Sequence, residues 1–244
     1  MLRSTLIPTD SRTLIGADCL QVMGQSEDVD MASSRSTDLW LERVFGATSA
    51  EELAKGYDRW SQTYDEDMLA VGYLNPAVAA GLLGRYGNDL NGGVLDAGCG
   101  TGLFGEIIAM LSYQRLVGID MSEGMLAKAR QRQIYADLRQ RMLGEPLDFE
   151  DRCFAAVVSI GVFTTGHAPA HALDELVRVT RAGGHLIFTV SSAAWEAHGY
   201  QHKADALADA GLWRLVDVTR PYRPMPLSIA EGEFTTRCHV FERL

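Results

Sequence analysis

The chain lacks an apolar run near the ~20 residues that span a bilayer, and its first residues, MLRSTLIPTDSRTLIGAD, have no long apolar stretch of the secretory-signal kind. A cytoplasmic protein with no membrane partner is expected. It also lacks a Lys/Arg block. RQRQ at 130–133 and RQR at 139–141 are its densest basic stretches, and 32 acidic residues against 22 basic ones leave a net charge of −10. Proteins that grip a nucleic-acid backbone usually carry a basic patch, so nucleic acid is not an expected partner. Only four cysteines occur, Cys19, Cys99, Cys153 and Cys238, with no C-x-x-C pair. That spacing speaks against a zinc site and against a disulfide scaffold, and all four read as small apolar fillers. His167 and His171 stand four apart but have no third ligand at supporting spacing, so no metal is expected.

What is present is a hydrophobic content of 47% over 244 residues. This suits one α/β domain with an appendage. Residues 1–35 are polar and aperiodic and read as a flexible arm. A helical segment, 36–90, follows. TDLWLERVFG ends at Gly46. Ser49 with Glu52 forms a capping box for a helix whose Leu53, Tyr57, Trp60 and Tyr64 make an aromatic stripe. NPAVAAGLLGRYG closes at Gly87. Such a stripe can simply dock a helix, but the acids in YDRW and YDED argue for a lid or substrate cap.

From 91 to 244 strand and helix patterns alternate. GGVLDAG, RLVGIDMS, IYADL, CFAAVVSIGVF and HLIFTVSS read as strands. TGLFGEIIAMLSY, SEGMLAKARQRQ, APAHALDELVRVTRAGG and KADALADAG read as helices, with Gly183-Gly184 as the stop of the third. WRLVDVTRPY and EFTTRCHVFERL have no helix between them and should pair antiparallel at one edge. The fold expected is α/β: a Rossmann-like, doubly wound, mostly parallel seven-stranded sheet with an antiparallel edge strand.

DAGCGTGLFG, residues 96–105, holds two overlapping glycine patterns. Gly100, Gly102 and Gly105 match the dinucleotide pattern G-x-G-x-x-G, while Asp96, Gly98, Gly100 and Gly102 match D-x-G-x-G-x-G. A pyrophosphate would sit at the following helix N-terminus, where a carboxylate at the strand end opposes it. S-adenosylmethionine has no phosphate and carries an ammonium and a sulfonium, which a nearby carboxylate favours. Asp120, ending LVGID, is placed to take ribose hydroxyls, as dinucleotide folds also do. Asp137 in YADL, expected to end the third strand, can accept from an adenine amino group beside the Leu138 N–H; a plain turn aspartate is the other reading.

VLDAGCGTGLFGEII, VGIDMSEGMLAKAR and CFAAVVSIGVF with LDELVRVTRAGGHLIFTV resemble the class I S-adenosylmethionine-dependent methyltransferases, especially the broad methyltransferase type 11 group, over about residues 50–190. KGYDRWSQTYDEDM is similar to the helix preceding the core in a subgroup related to the Williams–Beuren region methyltransferase. The resemblance implies that Asp96, Ala97, Gly98, Cys99, Gly100 and Gly102 surround the methionine part of S-adenosyl-L-methionine. Asp120 and Met121 would meet the ribose, Asp137 and Leu138 the adenine, and Ser159, Ile160 and Gly161 the sulfonium, with Tyr57 and Tyr64 closing over the ligand. S-adenosyl-L-homocysteine would be the product. One departure is Ala155, where the family pattern F-D-x-V has an acid.

Methyl transfer needs alignment and water exclusion more than a dedicated catalytic group. His167 is the candidate base, the alternative being a helix-entry histidine that bonds backbone. Trp60, Phe163, His167 and Trp195 are the candidate substrate contacts. Arg220 and Arg223 in RPYRPMP suit either an anion site or a proline-stiffened turn. No N/D-P-P-Y/F tetrad follows the fourth strand, where SIGVF stands. This favours an O, S, C or aliphatic N acceptor on a small molecule, with the enzyme a monomer or homodimer. The alternatives are a non-catalytic S-adenosylmethionine-binding scaffold and a dinucleotide-dependent oxidoreductase.

Overall fold

A computed structural model describes residues 39, 40, 44, 46–87, 91–111, 113, 115–228 and 234–244. The expected arm at 1–35 lies outside them, and of the first helical pattern Leu39, Trp40 and Val44 are described, all helical. Three helices precede the sheet: α1 (Ala50–Trp60), α2 (Tyr64–Ala70) and α3 (Asn75–Tyr86). Ser49 caps α1 by accepting from the Glu52 N–H at 3.2 Å. Glu52 reaches back to the Thr48 N–H at 3.0 Å, one residue earlier than in a standard capping box. The aromatic stripe is interrupted by a turn at Ser61–Thr63, so it spans two helices.

Alternation follows as β1 (Val94–Ala97), α4 (Leu103–Met110), β2 (Leu116–Asp120), α5 (Glu123–Gln131), β3 (Asp137–Gln140), β4 (Phe154–Phe163), α6 (Ala172–Val179), β5 (Thr180–Ser191), α7 (Ser192–Ala197), α8 (Tyr200–Asp209), β6 (Trp213–Val218) and β7 (Thr236–Arg243). The seven strands lie in the order β3-β2-β1-β4-β5-β7-β6. The pairs from β3 to β5 are parallel. β7 runs antiparallel to both β5 and β6. The last two strands thus pair as expected, and the reversed strand is β7, one place in from the edge.

The sheet has two apolar faces. Leu95, Val157, Phe188 and Phe241 pack with Leu173, Leu176 and Leu207 of α6 and α8. On the other face Val94, Ala156, Ile187 and Val240 pack with Ala79 and Leu83 of α3 and Phe104 and Ile108 of α4. Helix α3, grouped with the cap by its sequence position, is therefore a layer of the core. The apolar residues of α1 and α2 form a separate cluster around Trp60, Met68 and Val71.

Two expectations about element boundaries need correction. Asp137 opens β3 and pairs with Val117, whereas Gln140 sits opposite Asp120. Helix α6 ends at Val179, and Gly183-Gly184 lies inside β5. There the register shifts: Phe154 pairs with Thr180 and Ala156 with His185, so the glycines occupy a bulge. SSAAWEAHGY contains the short helix α7, started by the Ser191 hydroxyl accepting from the Ala194 N–H. Among the described residues no single helix is long and apolar enough to cross a membrane.

Candidate active site

The carboxyl ends of β1, β2 and β4 face α1 and α2 across a cavity of about 370 Å³. This is where open parallel sheets bind ligands. The chain leaves β1 through Gly98 (φ 84°), where any Cβ would lie 2.4 Å from Val162 Cγ2; only glycine meets both demands. Gly100 next donates its N–H to Asp120 Oδ2 at 2.8 Å. Asp120 Oδ1 accepts from the Ser122 N–H at 2.9 Å. Each oxygen has a second lone pair, and Asp120 lines the cavity. Burial lifts the Asp120 carboxyl to about 6, against three backbone N–H groups that pull it down.

Asp96 lies beneath this turn and outside the lining. It is fully buried, and its Oδ2 accepts the Tyr135 hydroxyl at 2.7 Å. Its Oδ1 has no protein partner. Burial raises the carboxyl to about 7; the Tyr135 bond opposes the rise and the nearby Asp120 adds to it. Tyr135 reaches Asp96 because two positions lack side chains: a Cβ on Gly105 would lie 2.3 Å from the Tyr135 hydroxyl, and one on Gly118 would lie 3.0 Å from its ring. The third glycine of the dinucleotide-like match is thereby explained without a dinucleotide. The spot a pyrophosphate would need is also filled. Asp65 of α2 accepts the Thr101 hydroxyl at 2.5 Å just ahead of α4 and pairs with Arg132.

The remaining expected contacts divide. Tyr57, Tyr64, Gly98, Gly100, Asp120, Met121, Ile160, Gly161 and His167 line the cavity. Ala97 and Ser159 are buried behind its wall, Ser159 donating to the Ala97 carbonyl at 2.7 Å. Cys99 is buried, and its sulfur lies 3.0 Å from the position of a Cβ on Gly118. Gly102 (φ 92°) is the N-cap of α4. Asp137 and Leu138 are not in the lining, because Asp137 starts β3 at the far end, where it pairs with Arg139 at 2.7 Å. The chain after β3, Arg141, Met142 and Leu143, lines the cavity instead.

Tyr57 and Trp60 rings lie 5.9 Å apart, and Trp60 meets Tyr64 edge-on at 4.8 Å. The Trp60 indole donates to Asp67 at 2.8 Å. The Tyr57 hydroxyl lies 2.9 Å from His167 Nε2, and the Thr164 hydroxyl lies 2.8 Å from His167 Nδ1. Desolvation lowers the His167 pKa and, with Asp120 nearby, raises that of Tyr57. The Thr165 carbonyl, 3.2 Å from Nδ1, suits a proton on Nδ1, which leaves Nε2 as the acceptor. A smaller cavity of about 50 Å³ lies beyond this pair, and Tyr57, Tyr64, Gly161 and His167 line both. Phe163 is not available to a substrate: it is fully buried against Phe188 and Tyr200. Trp195 stacks on His239 at 4.4 Å and lines a different groove beside α8 and β6.

Two carboxylates that sequence reasoning gave no contacts hold α1 and α2 on the core. Asp58 accepts from the Ser122 hydroxyl at 2.6 Å and the Gly124 N–H at 2.8 Å. Asp65 holds Thr101 and Arg132. The acids flanking the aromatic stripe were the available signal.

The profile of the family described as "Methyltransferase domain" matches residues 95–188. Human methyltransferase-like protein 27 is 33% identical over 180 residues, which cover 70% of this chain and 73% of that protein. The chain belongs to the class I S-adenosylmethionine-dependent methyltransferases. The malonyl-[acyl-carrier protein] O-methyltransferase of Serratia marcescens is 34% identical over 175 residues, 70% of this chain and 60% of that protein. A TehB-like methyltransferase from Corynebacterium glutamicum shares the fold with a TM-score of 0.56 at 19% identity, covering 75% of this chain and 98% of that one. S-adenosylmethionine is the methyltransferase's cofactor. The residues present fit it: a cavity of suitable size, a lining carboxylate with free lone pairs, and an orphaned carboxylate oxygen beneath the glycine turn.

Proposed function

We propose that this methyltransferase acts on a small molecule and that His167, through Tyr57, takes the proton from an oxygen or sulfur nucleophile. The observation that carries this reading is the Tyr57–His167 hydrogen bond at the wall shared by the two cavities. When bound, S-adenosylmethionine supplies a methyl group on a sulfonium, the acceptor lone pair forms the new bond to carbon, and the C–S pair stays with sulfur. His167, kept neutral by burial, takes the Tyr57 hydroxyl proton at Nε2 while the Tyr57 oxygen takes the proton of the acceptor, and Thr164 and the Thr165 carbonyl hold the ring by Nδ1.

Asp120 holds the glycine turn and offers its free lone pairs to the ribose; Met142 and Leu143 border the adenine, in place of Asp137 and Leu138. Helices α1 and α2 act as the lid that keeps water out, with Asp58 and Asp65 as its latches. The acidic surface and the small second cavity support a small acceptor over a macromolecular one.

The test is formation of S-adenosylhomocysteine from S-adenosylmethionine with a panel of alcohols, phenols and thiols, using wild type, His167→Asn and Tyr57→Phe. His167→Asn should lower kcat by about 10²–10⁴-fold and leave cofactor affinity nearly unchanged. A wild-type rate in that variant refutes the base. Cofactor binding without turnover of any acceptor would point to the scaffold reading.

A further inference from the structure

The second cavity also carries information about what the acceptor looks like. It shares Tyr57, Tyr64, Gly161 and His167 with the larger cavity, so a molecule whose reacting atom sits at the Tyr57–His167 pair has room there for its other end. Its walls are aromatic and thioether: Trp60, Met68, Tyr73, Met225 and Phe234 among them.

Its polar residues are largely committed to the protein. Asn75 accepts the Tyr222 hydroxyl at 2.7 Å. The Thr236 hydroxyl donates to the Val190 carbonyl at 2.8 Å. Thr189 Oγ1 accepts the Gly161 N–H at 2.8 Å. Thr164 faces His167. No Lys, Arg, Asp or Glu occurs among the described lining residues. Arg223, the nearest expected anion ligand in the sequence, instead donates to the Ser228 carbonyl at 3.2 Å and is not in the lining.

A charge buried without a partner is costly, and the surroundings already disfavour an anion: burial first, and then neighbouring groups that include Asp120, raise the phenols of Tyr57 and Tyr64. The volume, about 50 Å³, is a third of the roughly 150 Å³ that holds a benzene ring. We propose that the acceptor carries a short, uncharged, apolar tail that enters this cavity, with its hydroxyl or thiol at the Tyr57–His167 pair. The inference rests on the acceptor reading above and adds the class of molecule: small neutral alcohols or thiols, rather than carboxylates, amines or phosphate esters.

Isosteric pairs test it. 1-Propanol and ethanolamine have the same number of heavy atoms, as do 2-methylpropan-1-ol and glycolate, and the tails of each pair match in size while only one is charged. Saturation-transfer NMR on the full chain loaded with S-adenosylhomocysteine measures their binding without turnover. Each neutral member should bind at least tenfold tighter than its charged partner. A Met225→Lys variant, checked for folding and for S-adenosylhomocysteine affinity, should reverse the order for glycolate. Equal binding within both pairs, tighter binding of either charged member, or no binding of any of the four would overturn the proposal. Failure of S-adenosylhomocysteine itself to bind would overturn the cofactor site and with it both readings. Loss of the base role in the His167→Asn assay would leave the tail preference standing.

Discussion

Tyr135→Phe removes one atom from the packing beneath the glycine turn that follows β1. The ring stays in the space left by Gly105 and Gly118, and what disappears is the 2.7 Å bond to Asp96 Oδ2. A hydrogen bond to a charged group stabilises by about 1.5–3 kcal/mol and one between neutral groups by about 1. The difference amounts to roughly one pKa unit, so Asp96 should move from about 7 to about 8. The sign follows from linkage. Asp96 is already raised in the folded state, so the fold is favoured where the carboxyl is protonated and loses that advantage as pH climbs through the folded value. The variant should therefore lose only about 1 kcal/mol at pH 5.5, where Asp96 is protonated with or without the hydroxyl, and about 2–3 kcal/mol at pH 9. Urea denaturation at the two pH values measures both. On the proposed cofactor placement a charged Asp96 favours the cationic ligand, so cofactor affinity should fall most near pH 7.5 and recover by pH 9. A destabilisation equal at pH 5.5 and 9 would refute the reasoning, because it would mean that the hydroxyl does not favour the ionised carboxylate.

Asp65→Asn should loosen the lid and weaken S-adenosylmethionine binding about tenfold, with faster hydrogen exchange in α1 and α2; unchanged exchange there would remove Asp65 as a latch. Asp120→Asn should cost about 1.5–3 kcal/mol of cofactor affinity by calorimetry, and Asp137→Ala should cost none, a contrast that separates the two carboxylates. The acid limb of the kcat profile should fall below pH 6.5, since burial of His167 keeps its base form present under the ordinary imidazole value; a limb above pH 7 would exclude His167 as the base.

The parallel core was legible because its strands are continuous apolar runs and its turns are punctuated by glycine. The first glycine motif, Asp120 and the Ser122 cap depend on local chemistry, and local chemistry is what a sequence displays. The failures have a common cause. Whether Asp137 opens or closes β3 depends on register against β2, and IYADLRQ has no glycine or proline to mark it. Phe163 and Trp195 were judged by type, but the bulge in β4 and the insertion of β7 decide which way they face. Tyr135 was invisible for a different reason: its partner Asp96 is 39 residues away, and only packing shows that Gly105 makes room for it. The acids of α1 and α2 stand out beside an aromatic stripe, but their partners, Ser122 and Thr101, appear only in the fold.

The placement of β7 between β5 and β6 also bears on the order in which the chain can assemble during vectorial synthesis. Among the described residues β6 pairs with no strand except β7, which comes later in the chain. As the polypeptide emerges, β1 to β5 can zip into a parallel sheet with their helices, but β6 must wait, and the outer side of β5 stays a bare template until Thr236–Arg243 arrives. A nascent chain stalled after Val218 would expose that template to neighbouring chains. β7 thus acts as a keystone: until it is made, β5 has an open outer edge and β6 has no partner among the described strands.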